Sequence, residues 1–241
     1  MNGLGYLVAG GKLAVDPKLR WYVLLPLLVN IILVGSLFSW AYSLITGWQA
    51  ALDTWLPSWL EWLTWFLEPL FYIAAVAFLA YGFSTLANLI ASPFNGLLAE
   101  AVEAHLDPGI TMPESSASAV LKSVPRAIYK ELAKIIYYLP RLILVWLSGF
   151  IIPGANIVLG LLLSMWMMAL QYIDYPMDNH QKSFKQVKIF TGQRKSLSLS
   201  FGAFVLLFTA IPIANLFIMP IAVCGATKLW VDTKHSQNNK V

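Results

Sequence analysis

The chain divides into long apolar stretches separated by short polar connections. Asp16-Pro17 reads as an N-cap followed by the first helical residue, and predicts a helix over 18–45. Its apolar part covers about 25 residues, enough to cross a hydrocarbon core of about 30 Å. Pro26 and Asn30 fall inside it. A second full span is predicted over 69–93, with Gly82 and Asn88 inside it. That run continues as an amphipathic helix through Glu103 and ends in the turn residues Leu106-Asp107-Pro108-Gly109. Between the spans, Trp48, Leu52, Trp55, Trp59, Trp62 and Phe66 recur at spacings of four and three, which predicts one helix face. Trp favours the membrane–water interface, so the stripe reads as an anchor or packing seam, with a ligand-stacking platform as the alternative.

The second half is patterned differently. Over 114–139, Val120, Leu121, Val124, Ile128, Leu132, Ile135, Ile136 and Leu139 share a helix face, while Lys122, Arg126, Lys130 and Lys134 recur at every fourth position on another. A basic amphipathic helix of this kind is expected on the anionic cytoplasmic surface of a membrane; an anion-collecting vestibule is the alternative. Residues 140–172 and 197–230 then form two pairs of apolar legs, broken at Pro153-Gly154-Ala155-Asn156 and Pro212-Ile213-Ala214-Asn215. The leg after Pro140 has about 12 apolar residues, short of the ~20 needed to span. The economical reading is two re-entrant hairpins, with two ordinary helical hairpins as the alternative. Irregular backbone at membrane depth must be buried in protein or line a cavity. Paired interrupted segments point to a transport site, so Asn156 and Asn215 are candidate pathway-lining residues.

Charge fixes the expected orientation. Lys and Arg cluster near 12–20, 122–141, 182–195 and 228–240, whereas the connection 49–68 carries only Asp53, Glu61 and Glu68. Basic loops stay in the cytoplasm. The chain is therefore expected to leave once and return once, with both termini and both hairpin bases inside. Composition agrees: 59% of residues are hydrophobic and 12% charged, against roughly 25–35% charged on a soluble surface. A single membrane domain over 1–241 is expected. No cleavable signal peptide is expected, because the run 4–9 is too short and the run from Trp21 too long.

Candidate chemistry is sparse. GxxxxGK[ST], GxSxG and HExxH are missing from the sequence, and one cysteine, Cys224, makes neither a disulfide nor a Cys-rich metal site. No enzyme, cofactor, metal or nucleic-acid role is expected. His105, His180 and His235 read as solvated, and Asp174 and Asp178 as helix-exit and turn residues. Lys18, Leu19 and Arg20 stand out. They open the first long helix, where unpaired N–H groups and the positive end of the helix dipole favour an anion. Arg20 adds a planar fork for a tetrahedral oxyanion. The alternative is that Arg20 snorkels to the interface.

Four stretches resemble the CysZ family of bacterial sulfate permeases: Pro17-Lys18-Leu19-Arg20-Trp21 into Leu25-Pro26-Leu27-Leu28-Val29-Asn30; Ser92-Pro93-Phe94-Asn95-Gly96-Leu97-Leu98-Ala99-Glu100; Tyr172-Ile173-Asp174-Tyr175-Pro176; and Ile211-Pro212-Ile213-Ala214-Asn215-Leu216, continuing to Gly225-Ala226-Thr227. The resemblance implies an all-α integral membrane protein with two long transmembrane helices, two hemi-penetrating hairpins and cytoplasmic amphipathic helices. It implies sulfate uptake for cysteine biosynthesis across the inner membrane, and a homo-oligomer, dimer or higher, among membrane lipids. The family's Gly-Leu-Arg sulfate motif falls on Lys18, Leu19 and Arg20, with Lys18 in place of the glycine and Trp21 where relatives can carry a second arginine. A non-transporting membrane scaffold or assembly protein is the alternative function.

Overall fold

The computed structural model describes residues 1–55, 57–109 and 117–238; within these, the side chains of several residues lie outside the described set, among them 75–93, 117–125, Asn30 and Asn215. Eight α-helices are described: α1 (Gly3–Ala14), α2 (Arg20–Trp55), α3 (Thr64–Leu106), α4 (Ala117–Ile151), α5 (Ala155–Asn179), α6 (Phe184–Gln193), α7 (Lys195–Thr209) and α8 (Pro212–Asn238). A 3-10 helix, Ser58–Leu63, precedes α3. No strand occurs among the described residues. The residues form two compact units, Leu24–Ser92 and Met1–Val23 with Pro93–Val241.

The unit Leu24–Ser92 holds most of α2 and the first part of α3, where most of each predicted span falls. The aromatic stripe is a correction: it does not form one helix face. It is divided among the end of α2, the 3-10 helix and the start of α3. Pro57 lies at the break and has no backbone N–H to donate to a continuing helix. Trp59, Trp62 and Phe66 are exposed, and Trp48 stacks on Phe71 with ring centroids 4.8 Å apart. Leu52 and Trp55 have side chains outside the described set.

The other unit is a helical bundle in which α1, α5 and α7 pack on α8. Its core holds Leu98, Val102, Leu170, Ile173, Phe201, Val205, Val223 and Cys224. Small residues set the closest crossings. A Cβ on Gly10 would strike the Ile221 carbonyl and the Gly225 backbone, so α1 and α8 approach backbone to backbone. Gly202 on α7 lies against the Met165 carbonyl of α5 in the same way. Such contacts are the usual means of tight packing between apolar helices. Asn2 caps α1 by accepting from Gly5 N–H at 2.8 Å. Ser183 and Gln186 form a reciprocal capping box at the start of α6.

The apolar legs on either side of each predicted break are helices. α4 and α5 are joined through Ile152-Pro153-Gly154, with Gly154 at φ 84, a left-handed conformation that glycine adopts at little cost. α7 and α8 are joined at Ala210-Ile211. The boundary expected at Pro140 is absent. The basic amphipathic helix and the first apolar leg are one 35-residue helix, α4. Proline removes one N–H from that turn, and Arg141 Nη1 donates to the neighbouring Tyr137 carbonyl at 2.6 Å. Two described stretches are long and apolar enough to cross a membrane, Ile128–Ile151 and Ala155–Asn179.

Candidate functional site

Residues 16–20 form a tight turn before α2. The Asp16 carboxylate accepts from Lys18 N–H at 2.8 Å. The Asp16 carbonyl accepts from Leu19 N–H at 2.9 Å and Arg20 N–H at 2.8 Å. The helix consequently begins at Arg20, two residues later than predicted. The three N–H groups expected to face an anion are all bonded to Asp16. What remains for a ligand is side-chain charge. Leu19 is 2% exposed and anchors the turn in the bundle, whereas Lys18 and Arg20 are exposed. Neither cation has a carboxylate partner among the described residues. The Arg20 guanidinium carbon lies 5.9 Å from the centroid of the Trp21 ring.

The basic stripe of α4 is arranged oppositely. Arg126 donates to the Asp178 carboxylate of α5. Lys130 Nζ lies 2.7 Å from Asp178 Oδ1 and 2.5 Å from Asp174 Oδ1. Lys134 Nζ lies 2.7 Å from Asp174 Oδ2 and 2.8 Å from Glu131 Oε1. Lys130 is 4% exposed, and Lys134 and Asp174 are 6% exposed. The expectation of a stripe lying free on the membrane surface is therefore corrected for Arg126, Lys130 and Lys134, which face α5. The Lys122 side chain lies outside the described residues. Asp174 and Asp178 are likewise more than helix-exit residues: they are the counter-ions of this ladder. Their spacing of four matches that of Lys130 and Lys134, a signal readable in the sequence once α4 and α5 are paired.

His105 and His235 are exposed, as expected, whereas His180 is half-buried, and all three lie near carboxylates. His180 Nε2 is 2.7 Å from Glu103 Oε1, His235 Nε2 is 2.7 Å from Asp107 Oδ2, and His105 Nε2 is 3.9 Å from Asp16 Oδ2. Glu103 is fully buried, and its Oε1 also accepts from Trp230 Nε1 at 3.3 Å. Burial and the neighbouring Glu103 raise the Glu100 carboxyl above its ordinary range. The hydrogen bond from His235 holds Asp107 below the usual aspartate range.

Of the two candidate pathway residues, Asn156 lies at the tip of the α4–α5 hairpin, where a Cβ on Gly149 would stand 2.9 Å from its side-chain Cγ. It is exposed. Asn215 falls outside the described side chains. Lys18, Leu19 and Arg20 lie together on one turn, apart in sequence and in element from both asparagines. Among the described residues no group of three or more His, Cys, Asp or Glu could hold a metal ion.

The family model of the sulfate transporter CysZ/etoposide-induced protein 2.4 (EI24) matches residues 6–220. That range takes in the turn at Asp16, the α4–α5 ladder, both hairpin turns and most of the bundle. The chain belongs to the sulfate transporter CysZ/etoposide-induced protein 2.4 family.

Proposed function

We propose that the chain carries sulfate across the bacterial inner membrane for cysteine biosynthesis, with its oxyanion site at Lys18, Leu19 and Arg20. Family membership over residues 6–220 is the observation that carries this reading. The geometry of the turn supports it. Asp16 gathers the backbone and buried Leu19 fixes it, so two exposed cations stand at the head of α2. Arg20 supplies paired N–H donors to a tetrahedral oxyanion, and Lys18 adds attraction at longer range. The positive end of the α2 dipole adds to both.

In this reading, 18–45 and 69–93 cross the membrane. The α4–α5 and α7–α8 hairpins enter it from the cytoplasmic side, with both termini inside. Asn156 and Asn215 line the path at the two hairpin turns. The protein works as a homo-oligomer, dimer or higher, surrounded by lipid. Sulfate flux into liposomes holding the purified protein is expected, and would be lost on removing the Arg20 charge. A protein that is well folded and oligomeric, yet shows no flux above empty liposomes, would instead be the membrane scaffold. The orientation has its own test. In a Cys224→Ser background, Ser118→Cys, Gln181→Cys and Ser236→Cys should escape an impermeant thiol reagent applied to intact cells, and Ser58→Cys should react. Labelling of Gln181→Cys from outside would refute the first re-entrant hairpin.

A further inference from the structure

Tyr137 on α4 holds two cations against one ring. The Arg141 guanidinium carbon lies 3.6 Å from the ring centroid and the Lys188 Nζ, from α6, lies 4.8 Å from it. The ring is held in place by its neighbours. Its hydroxyl accepts from Trp166 Nε1 at 3.1 Å, and Phe184 meets it edge-on with centroids 5.6 Å apart. The Arg141 fork is held by its bond to the Tyr137 carbonyl, which engages Nη1. Yet neither Arg141 nor Lys188 has a carboxylate partner among the described residues. This sets them apart from Arg126, Lys130 and Lys134, about two to four turns before Arg141 on α4, each of which has one.

Arg141 also stands inside the stretch Ile128–Ile151, which is long and apolar enough to cross a membrane. Leu139, Leu142 and Leu144 around it are exposed, as is Ile189 beside Lys188. A cation inside such a stretch ordinarily pairs with an anion. Two cations gathered at one aromatic ring repel each other until an anion joins them. The ring attracts both by its quadrupole, so the pair is held ready for a shared anionic group.

We propose that Arg141, Lys188 and Tyr137 form a binding site for the phosphate headgroup of an anionic phospholipid. The Arg141 fork and the Lys188 ammonium take the phosphate oxygens, and the acyl chains lie along the exposed leucines of α4. A soluble oxyanion has the same charge chemistry, but it has no use for that apolar flank. The site lies on α4 and α6 and is independent of the sulfate site at the head of α2.

Native mass spectrometry of the detergent-purified full chain tests this with phosphatidylglycerol, phosphatidylcholine and inorganic phosphate as separate probes. The parent should bind phosphatidylglycerol more tightly than phosphatidylcholine. Arg141→Gln and Lys188→Gln should each weaken phosphatidylglycerol binding about fivefold, and the double variant about thirtyfold. Lys195→Gln and Arg20→Ala should leave it unchanged, so loss of the sulfate reading does not disturb this one. Equal affinity of the parent for the two lipids overturns the proposal without recourse to any variant. So does a folded double variant with the parent's affinity for phosphatidylglycerol, or displacement of the lipid by millimolar inorganic phosphate, which marks a soluble-oxyanion site.

Discussion

The head of α2 and the α4–α5 ladder are both built from lysine and arginine at short spacing, and they do opposite things with that charge. At the head of α2, Lys18 and Arg20 are exposed and unpaired among the described residues, while the nearby aspartate spends its hydrogen bonds on the backbone. In the ladder, Lys130 and Lys134 are buried and each meets an aspartate within 2.7 Å. The two basic clusters therefore differ in whether the protein supplies their counter-ions. In the ladder the positive charge is balanced from within the protein. At the head of α2 it has no counter-ion among the described residues.

Breaking the ladder should produce the largest effect. Asp174→Ala leaves Lys130 and Lys134 buried without that carboxylate, and removing one partner of a buried pair costs about 3–5 kcal/mol. The melting temperature of the detergent-purified protein should fall sharply. An unchanged melting temperature would mean that the ladder is not buried in the folded protein. Replacing the central group together, as Lys130→Met, Lys134→Met and Asp174→Leu, should restore much of the loss, because apolar substitutes of similar volume avoid the desolvation cost. If the triple variant is less stable than Asp174→Ala, the ladder has a role beyond balancing its own charge.

Which parts were legible in the sequence follows from the same contrast. Local signals were readable. Apolar length located helix over most of 18–45 and over 69–93, in α2 and α3, and glycine with proline located the turn at 152–154. The turn at Asp16 was half legible. Aspartate before proline marked a helix start, but the bonds from its carbonyl to Leu19 and Arg20, which move that start, depend on the path of the chain. Pairing across elements was not readable from periodicity on one helix. Lys130 and Asp174 are 44 positions apart, and only the α4–α5 hairpin brings them to 2.5 Å. The same holds for Glu103 with His180. The short helix α1 is not legible because its apolar run is brief, and what it packs on, the α8 backbone at Gly225 against Gly10, is distant in sequence.

At the other cluster the effects should be gentler. Lys18→Ala removes a charge that has no ion-pair partner among the described residues, so sulfate binding should weaken by a few-fold at low ionic strength. The difference should fade as salt is raised, since the Debye length shrinks to about 3 Å at 1 M. A loss that persists in high salt would place Lys18 in direct contact with the anion.

The smallest expected effect lies at Asp107, which His235 holds below its ordinary range. A carboxylate depressed in the folded state adds stability above its unfolded value, near 3.9, and loses it as the pH falls through the folded value. The stability difference between the parent and Asp107→Asn should thus be present at pH 6 and vanish in strong acid. A difference that grows on acidification would reverse the assigned sign.

The central claim is that unpaired charge at the head of α2, rather than the greater amount of charge in the ladder, binds the oxyanion. Equilibrium sulfate binding to detergent-purified Arg20→Ala tests it most directly, with chromatographic behaviour as the folding control. Hydrogen bonds to charged groups contribute about 1.5–3 kcal/mol each, so binding should weaken by roughly 10- to 150-fold. Arg20→Lys should recover only part of this, because an ammonium lacks the planar fork. A well-folded Arg20→Ala protein that binds sulfate as tightly as the parent would contradict the account and place the anion site elsewhere.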